Sequence, residues 1–425
     1  MRGLPGWLYV LFLVLLAAGT DEFVIAGVLP EIGRDLGVSA GAAGQLVTAF
    51  AVVYGLGAPL LSLVTDRLPR RTVMVGGLLL FTVANALAAL APGYGVLVAA
   101  RVLSAVGAAV VTSAAFAVAA EGAPEGRQGR YLSVVVAGIT VALFTGVPVG
   151  AWLAGAYGWR STFWLIAAVG AVAAGAVRLT APDLPGGATA PLRERLAPLR
   201  SVPVVRLLGV TFVGAGGGLM FYSYLAPYVA DVSGRTSDEA GPLVVGALFL
   251  VGVTGVAGAL LGGRAVDAWG PHRTLRRSVG GHVLAMAAAT VLAFLADGGG
   301  WAALVPLALV IAAWSVVGWS FNPPAQGVLM SIAPHAATTA LALNISAMYL
   351  GTGVGGALGG LILKAGDGDV AWVPAAATVL LASSYVLARR VAKDARPGGR
   401  TVTGERSGTT GEGADSSGEA AYDAA

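Results

Sequence analysis

Cysteine is absent from the 425 residues, and charge is scarce: Asp, Glu, Lys and Arg make up 11%, where a soluble domain has about 25%. Without cysteine there are no disulfides, iron–sulfur clusters or thiol chemistry. The three histidines, His272, His282 and His335, lack ligand spacing, so no metal site is expected. Lysine occurs only at Lys364 and Lys393, followed by Ala and Asp. A phosphate-binding loop needs Lys followed by Ser or Thr, so the chain by itself is no P-loop ATPase. Any pumping has to draw on an ion gradient or a partner, and no cofactor is implied.

What is abundant is apolar: 56% of residues are hydrophobic, and the mean hydropathy is +0.80. No soluble core absorbs that much apolar surface, which makes this an integral membrane protein whose partner is the lipid bilayer. Its spans are helical, because each is about twenty residues long rather than about ten alternating ones. Apolar segments fall near 7–29, 43–65, 72–91, 95–119, 131–156, 159–178, 204–230, 240–264, 274–296, 301–322, 338–363 and 370–389. The expected fold is all-α, twelve transmembrane helices in two six-helix bundles, 1–180 and 204–390. A basic, Pro-containing cytoplasmic linker, 181–203, joins them, and a Gly-, Ser- and acid-rich tail, 391–425, is expected to be disordered. A cleaved signal peptide is the competing reading of the N-terminus. Against it, the apolar pattern resumes past Asp21 and Glu22 as far as Leu29.

Positive charge sets the orientation. With the N-terminus inside, most of the 26 Lys and Arg fall on the cytoplasmic side, and only Arg34, Arg160, Arg235 and Lys364 fall outside. Both termini are therefore expected in the cytoplasm, in the cytoplasmic (inner) cell membrane. The net charge of +4 is a topology signal, not a nucleic-acid footprint.

Two carboxylates interrupt the first span, in AAGTDEFVIAGVLP at 17–30. Each costs roughly 2.5–3.5 kcal/mol on insertion scales, so a purpose is expected. Adjacent residues lie about 100° apart on a helix, and only one of Asp21 and Glu22 should face a central cavity. Taking a carboxyl group out of water disfavours its charged form, which suits an acid that binds and releases a proton; an acid that merely orients the span remains the alternative. Arg101 lies well inside the fourth span. Counted at ~1.5 Å per residue from the outer ends of their spans, Arg101 and Glu22 sit at nearly the same depth, so pairing with the first span is expected. Pinning of backbone carbonyls is the other role open to Arg101.

An internal repeat supports the division into halves: SLVTDRLPRRT at 62–72 is echoed by GRAVDAWGPHRT at 263–274, with Asp66 matched by Asp267 and Arg70 by Pro271. Duplicated helical bundles are a common transporter architecture. On these residues the chain resembles the major facilitator superfamily, and within it the twelve-span drug:proton antiporters. SLVTDRLPRR fits that superfamily's loop signature, small-x-x-x-Asp-Arg-x-Gly-Arg-Arg, with Ser62 and Pro69 in place of its glycines. ARVLSAVGAA at 100–109 resembles the Arg-x-x-x-Gly-x-Gly motif, with Ala105 at the first glycine. ALFTGVPVGAWLAGAYGWR at 142–160 resembles the antiporter signature, carrying Gly146, Pro148 and Gly150 and having Ala142 at the first glycine. TDEFVIAGVLPEIGRDLGVS and ALNISAMYLGTGVGGALGG are similar to the branch of chloramphenicol-resistance, arabinose/sugar and purine-ribonucleoside exporters. The resemblance covers residues 7 to about 390.

The resemblance implies that Glu22 is the family's acid, with Asp21 and Arg101 beside it in proton coupling. Asp66, Arg67, Arg70, Arg71, Asp267 and Arg273 would form a cytoplasmic gate of charge pairs and helix-end contacts; topology alone is the other explanation for those arginines. The small residues Gly138, Ala142, Gly146, Gly150 and Ala154 line one helix face, which in the resembled family packs on span eight at Gly255, Ala259 and Gly263. Pro148 should bend its span. Gly351, Gly355 and Gly359 repeat the small-residue device in span eleven. Aromatic and amide groups suited to an amphipathic cargo are Tyr222, Tyr224, Trp314, Phe321, Asn322, Gln326, Asn344 and Tyr349, some of which belong to interfacial belts instead. The expected function is proton-coupled antiport of a small amphipathic compound, such as an antibiotic or secondary metabolite, by a monomer and without catalytic chemistry. A sugar or nucleoside transporter on the same fold, exporter or symporter, is the alternative. A non-transporting membrane sensor would need a soluble module that neither the short loops nor the tail provides.

Overall fold

In the computed structural model, residues 4–65, 67–124, 128–186, 192–296, 300–333 and 336–394 are described. All regular structure among them is helical. The helices are α1 (Gly6–Asp35), α2 (Ala40–Thr65), α3 (Arg70–Ala89), α4 (Tyr94–Glu121), α5 (Gln128–Val141), α6 (Val147–Tyr157) and α7 (Arg160–Thr180), then the short α8 (Leu192–Arg195). They continue with α9 (Val202–Ser223), α10 (Leu225–Ser233), α11 (Gly241–Trp269), α12 (Pro271–Leu295), α13 (Gly300–Trp319), α14 (Asn322–Ile332), α15 (Ala337–Ala365) and α16 (Trp372–Asp394). Twelve stretches are long and apolar enough to cross a membrane, as the apolar segments predict. Met1–Ala395 form one compact unit. The expected tail lies almost wholly outside the described residues, as does Asp66.

Three spans are interrupted, each beside proline. Span five is α5, one π turn over Ala142–Gly146, and α6. Pro148 has no N–H to give a carbonyl one turn back, and the Val147 N–H reaches back to Ala142 O, so the helix widens by a residue rather than breaking. Span seven breaks at Tyr224, between α9 and α10, four residues after Met220 and just ahead of Pro227. Span ten breaks between α13 and α14 at Pro323 and Pro324, then runs on to Ile332, beyond the apolar segment that announced it. Span one, in contrast, is a single thirty-residue helix through both acids.

Small residues set how the helices meet. A Cβ on Gly351 would collide with the Phe212 carbonyl, and one on Gly355 with the Gly216 carbonyl, so this row of α15 lies directly on the α9 backbone. A second row, Gly353, Gly356 and Gly360, faces α2: Thr48 Oγ1 donates to Gly353 O at 3.0 Å, and a Cβ on Gly360 would come within 2.9 Å of Gly41 O. The span-five row behaves differently from the expectation. Gly138 lies against Phe12 and Leu15, Gly146 against Thr20, and Gly150 against Val24 and Thr162, so this face packs chiefly on α1. Contact with α11 comes from Phe144, over Gly252. Four-residue spacing keeps the row on one face, and Phe144, two residues from each of Ala142 and Gly146, points away from it. Gly255 meets Trp319 of α13 instead, and Gly263 meets nothing within 4 Å.

Candidate functional site

The long α1 carries Asp21 and Glu22 to the centre of the bundle, and they part company there. Asp21 is fully buried. Its Oδ1 accepts from Arg101 Nη1 at 2.6 Å, and its main-chain oxygen accepts from Nη2 at 3.3 Å. Arg101 is itself completely buried and lies over the Phe50 ring at 4.4 Å, a cation–π contact. Ser104 Oγ donates to the Arg101 carbonyl at 3.0 Å. Depth alone pointed to Glu22 as the partner of Arg101. The structure gives that role to Asp21, because the 100° between neighbours aims Asp21 at α4 and turns Glu22 toward the other half.

Glu22 is half-buried and lines a central cavity with Phe23, Ala26, Phe50, Arg101, Tyr222 and Tyr349. Tyr349 on α15 donates its hydroxyl to Glu22 Oε2 at 2.8 Å while its ring lies on Tyr54 at a centroid distance of 4.1 Å. The Tyr222 hydroxyl donates to Phe23 O at 3.1 Å. The free space is about 20 Å³, room for about one water molecule. The polar side chains of its lining are one carboxyl group, one guanidinium, two phenols and the hydroxyls of Ser223 and Thr352; the rest is apolar.

Of the residues expected to touch cargo, Tyr222 and Tyr349 line this cavity. Trp314 lies behind Tyr222, stacked at 6.3 Å, with its edge toward Phe221. Tyr224 instead donates to Gly356 O at 3.1 Å, and Asn344 Oδ1 accepts from Thr211 at 2.6 Å; both tie helices together. Phe321 packs on the separate apolar cluster around Ala325 and Val328. Asn322 opens α14, and Gln326 is exposed. Phe50, Tyr54 and Phe23 were not singled out in the sequence, although Phe50 and Tyr54 stand four apart on a single helix face, a readable signal.

The loop arginines divide similarly. Arg70 is buried and donates to Glu121, at the end of α4, at 2.8 Å. Arg71 donates to Ala181 O at 2.6 and 2.9 Å and lies 3.8 Å from Asp183. These contacts fasten α3 to the ends of α4 and α7, within one half. Arg67, Asp267 and Arg273 are exposed. Glu121 was missed because it ends a span otherwise read for its apolar face. At the opposite end, Arg34 of α1 pairs with Asp238, Arg160 with Asp35 at 2.6 Å, and Glu31 accepts the Trp159 N–H at 3.1 Å. These groups rim an open cleft of about 510 Å³.

The chain is thus a bundle of twelve apolar spans with a buried ion pair and a small, mostly apolar cavity at its centre, the build of a membrane transporter. Residues 11–355 match the family described as Major Facilitator Superfamily, and the chain belongs to that superfamily: it is a multi-pass membrane transporter and not an enzyme. It is 36% identical over 369 residues to the uncharacterized MFS-type transporter YbcL of Bacillus subtilis (strain 168), across 87% of this chain and 92% of that one. It is 38% identical over 315 residues to the chloramphenicol resistance protein of Streptomyces lividans, across 72% and 74% respectively. Among solved structures, the inward-facing and occupied form of a bacterial homolog to the human lysosomal transporter Spinster superposes with a TM-score of 0.74 at 21% identity, covering 91% of this chain and 96% of that one; this is a likeness of fold.

Proposed function

We propose that this transporter exports a small amphipathic organic compound in exchange for protons, with Glu22 as the coupling acid. One observation carries the reading: Asp21 is committed to Arg101, whereas Glu22 faces the cavity with only a phenol for a partner. A carboxyl group whose charge is already balanced has little to gain from a proton. One that meets the cavity without its own cation changes its proton occupancy when a cargo enters or leaves. Asp21 and Arg101 then hold α1 against α4 and set the angle at which Glu22 is presented. The bundles 1–180 and 204–390 rock about the cavity, and the small-residue rows of α15 allow the two backbones to slide closely. The protein works as a monomer in the cytoplasmic membrane, with both termini inside and the Arg70 end cytoplasmic, following the distribution of arginine. A drug-like cargo is supported by the chloramphenicol resistance protein among its relatives and by the aromatic lining.

The test is resistance and transport together. Expressed in a pump-deficient bacterial host and screened against toxic compounds, the chain should raise tolerance to at least one of them. Inverted vesicles acidified inside should release protons when that compound is added. Glu22→Gln should abolish both responses with the protein still present in the membrane. Resistance that survives in Glu22→Gln removes Glu22 as the coupling acid, and cargo uptake without proton movement removes antiport.

A further inference from the structure

The hydroxyl of Tyr349 links the first six spans to the last six through the carboxyl group that the proton would occupy. Glu22 stands on α1 and Tyr349 on α15; the 2.8 Å bond joins them in a cavity with space for about one water molecule. The Tyr349 ring is also held by Tyr54 of α2 at 4.1 Å, and its neighbours along α15 contact α9 through Gly351 and α2 through Gly353. The side chain therefore has little freedom to swing without moving its helix. We propose that Tyr349 reports the protonation state of Glu22 to the second half, holding the empty, deprotonated carrier in the arrangement seen here.

The chemistry follows from the donor and acceptor. A phenol O–H donating to a carboxylate makes a charge-assisted bond, roughly twice as strong as its neutral counterpart. Protonating Glu22 converts the acceptor to a neutral acid and weakens the link. A cargo that offers an amine, amide or hydroxyl hydrogen competes for the same oxygen and also releases Tyr349. Proton and cargo donor therefore act on one bond, and the empty carboxylate, with neither, stays tethered. This design suppresses a futile return of the unloaded carrier. It also sets the cargo class: an apolar or aromatic body bearing at least one hydrogen-bond donor, which would lie beside Phe23, Phe50 and Tyr222 once the bundle opens beyond the space for one water seen here. The other charged or titratable groups facing Glu22 are Asp21 on its own helix, Arg101 of α4, Tyr54 of α2 and Tyr222 of α9. Asp21 and Arg101 are paired with each other, and the Tyr222 hydroxyl is given to Phe23 O, which leaves Tyr349 as the phenol bonded to this carboxyl group.

This inference rests on Glu22 as the coupling acid, and the test separates the two. The natural absence of cysteine allows two spin labels to be placed cleanly, at Leu68→Cys and Ala268→Cys, both exposed and one in each half. The distance between them is measured by pulsed electron resonance, without cargo, at acid and alkaline pH. The wild-type background should shift its distance distribution between the two. Tyr349→Phe, which keeps the ring stack on Tyr54, should lose most of that shift, and Glu22→Gln should lose it to the same extent. The double variant should add nothing. Tyr228→Phe, whose lost bond is to Ala289 O elsewhere in the second half, should keep the full shift. A shift abolished by Glu22→Gln but intact in Tyr349→Phe overturns the role of Tyr349 and leaves the coupling acid standing. A shift untouched by Glu22→Gln, or no shift in the wild-type background, overturns both.

Discussion

The first six and the last six spans of this transporter share a loop echo in the sequence, yet the side chains they bury differ in kind. Among the described residues, the charged side chains that are buried, Asp21, Arg70 and Arg101, all belong to the first six spans. The buried polar groups of the second half are neutral: hydroxyls such as Thr211, Ser315 and Ser384, the amide of Asn344, and ring nitrogens of His282 and Trp314. Aromatic side chains meet across the centre: Tyr222 and Trp319 of the later spans lie edge-on to Phe23, and Trp314 packs on Phe221 and Tyr222 behind them. The repeated loop shows the same divergence. Arg70 is sunk beside Glu121, while the second-half counterparts, Pro271 and the exposed Arg273 and Asp267, bury no ion pair. Fixed buried charge is thus concentrated in the first six spans. The last six spans bury neutral polar groups, which avoid the desolvation penalty of a buried charge.

The sharpest way to break that comparison is to remove one partner from each interior. Arg101→Met strands the buried Asp21 carboxylate and should lower stability by about 3–5 kcal/mol. Thr211→Val takes away only the neutral partner of Asn344 and should cost about 1–2 kcal/mol. Thermal unfolding in detergent, followed by tryptophan fluorescence, compares the two, and equal losses would mean that charge confers no special fragility on the first half. Next in size are the glycine contacts. Gly355→Leu forces side-chain atoms into the α9 backbone and should destabilise by about 1–3 kcal/mol or prevent accumulation in the membrane. Gly263→Ala, in open space on α11, should stay within about 0.5 kcal/mol; membrane abundance and unfolding midpoint read both. Smaller still, Arg70→Ala should cost about 1–2 kcal/mol, since its guanidinium is buried while Glu121 is half in solvent. Arg273→Ala should be close to neutral in the same unfolding assay. The smallest effect belongs to the exposed Arg34–Asp238 pair. Its double-variant cycle should give less than about 1 kcal/mol, falling with added salt.

Much of the fold was legible because a bilayer imposes a single strong requirement. Every span must satisfy its own backbone and show apolar side chains to lipid, so length and hydropathy alone give twelve helices. The breaks were only partly legible. Pro148, Pro227 and the Pro323–Pro324 pair announce trouble, but whether a helix bends, widens into a π turn or stops depends on which neighbour accepts the freed carbonyl. The site was legible to the level of its ingredients. Asp21, Glu22 and Arg101 stand out because an ionisable group inside an apolar run is expensive. Their pairing was not, since matched depth leaves the rotation of each helix undecided, and one step of 100° exchanges the roles of the two acids. The small-residue row of span five could likewise be read as a row, while the helix it meets could not.

The amino-acid order by itself determined that this chain lives in a membrane, crosses it twelve times, and carries acids and a guanidinium at one depth, because those features are local and additive along the chain. The tertiary structure alone decided that Arg101 takes Asp21, that Glu22 is left to a phenol from the far half, and that Phe144 rather than the glycine row meets α11. Those outcomes depend on how helices rotate and lean against one another, and that orientation is set by contacts between residues from 80 to more than 300 positions apart.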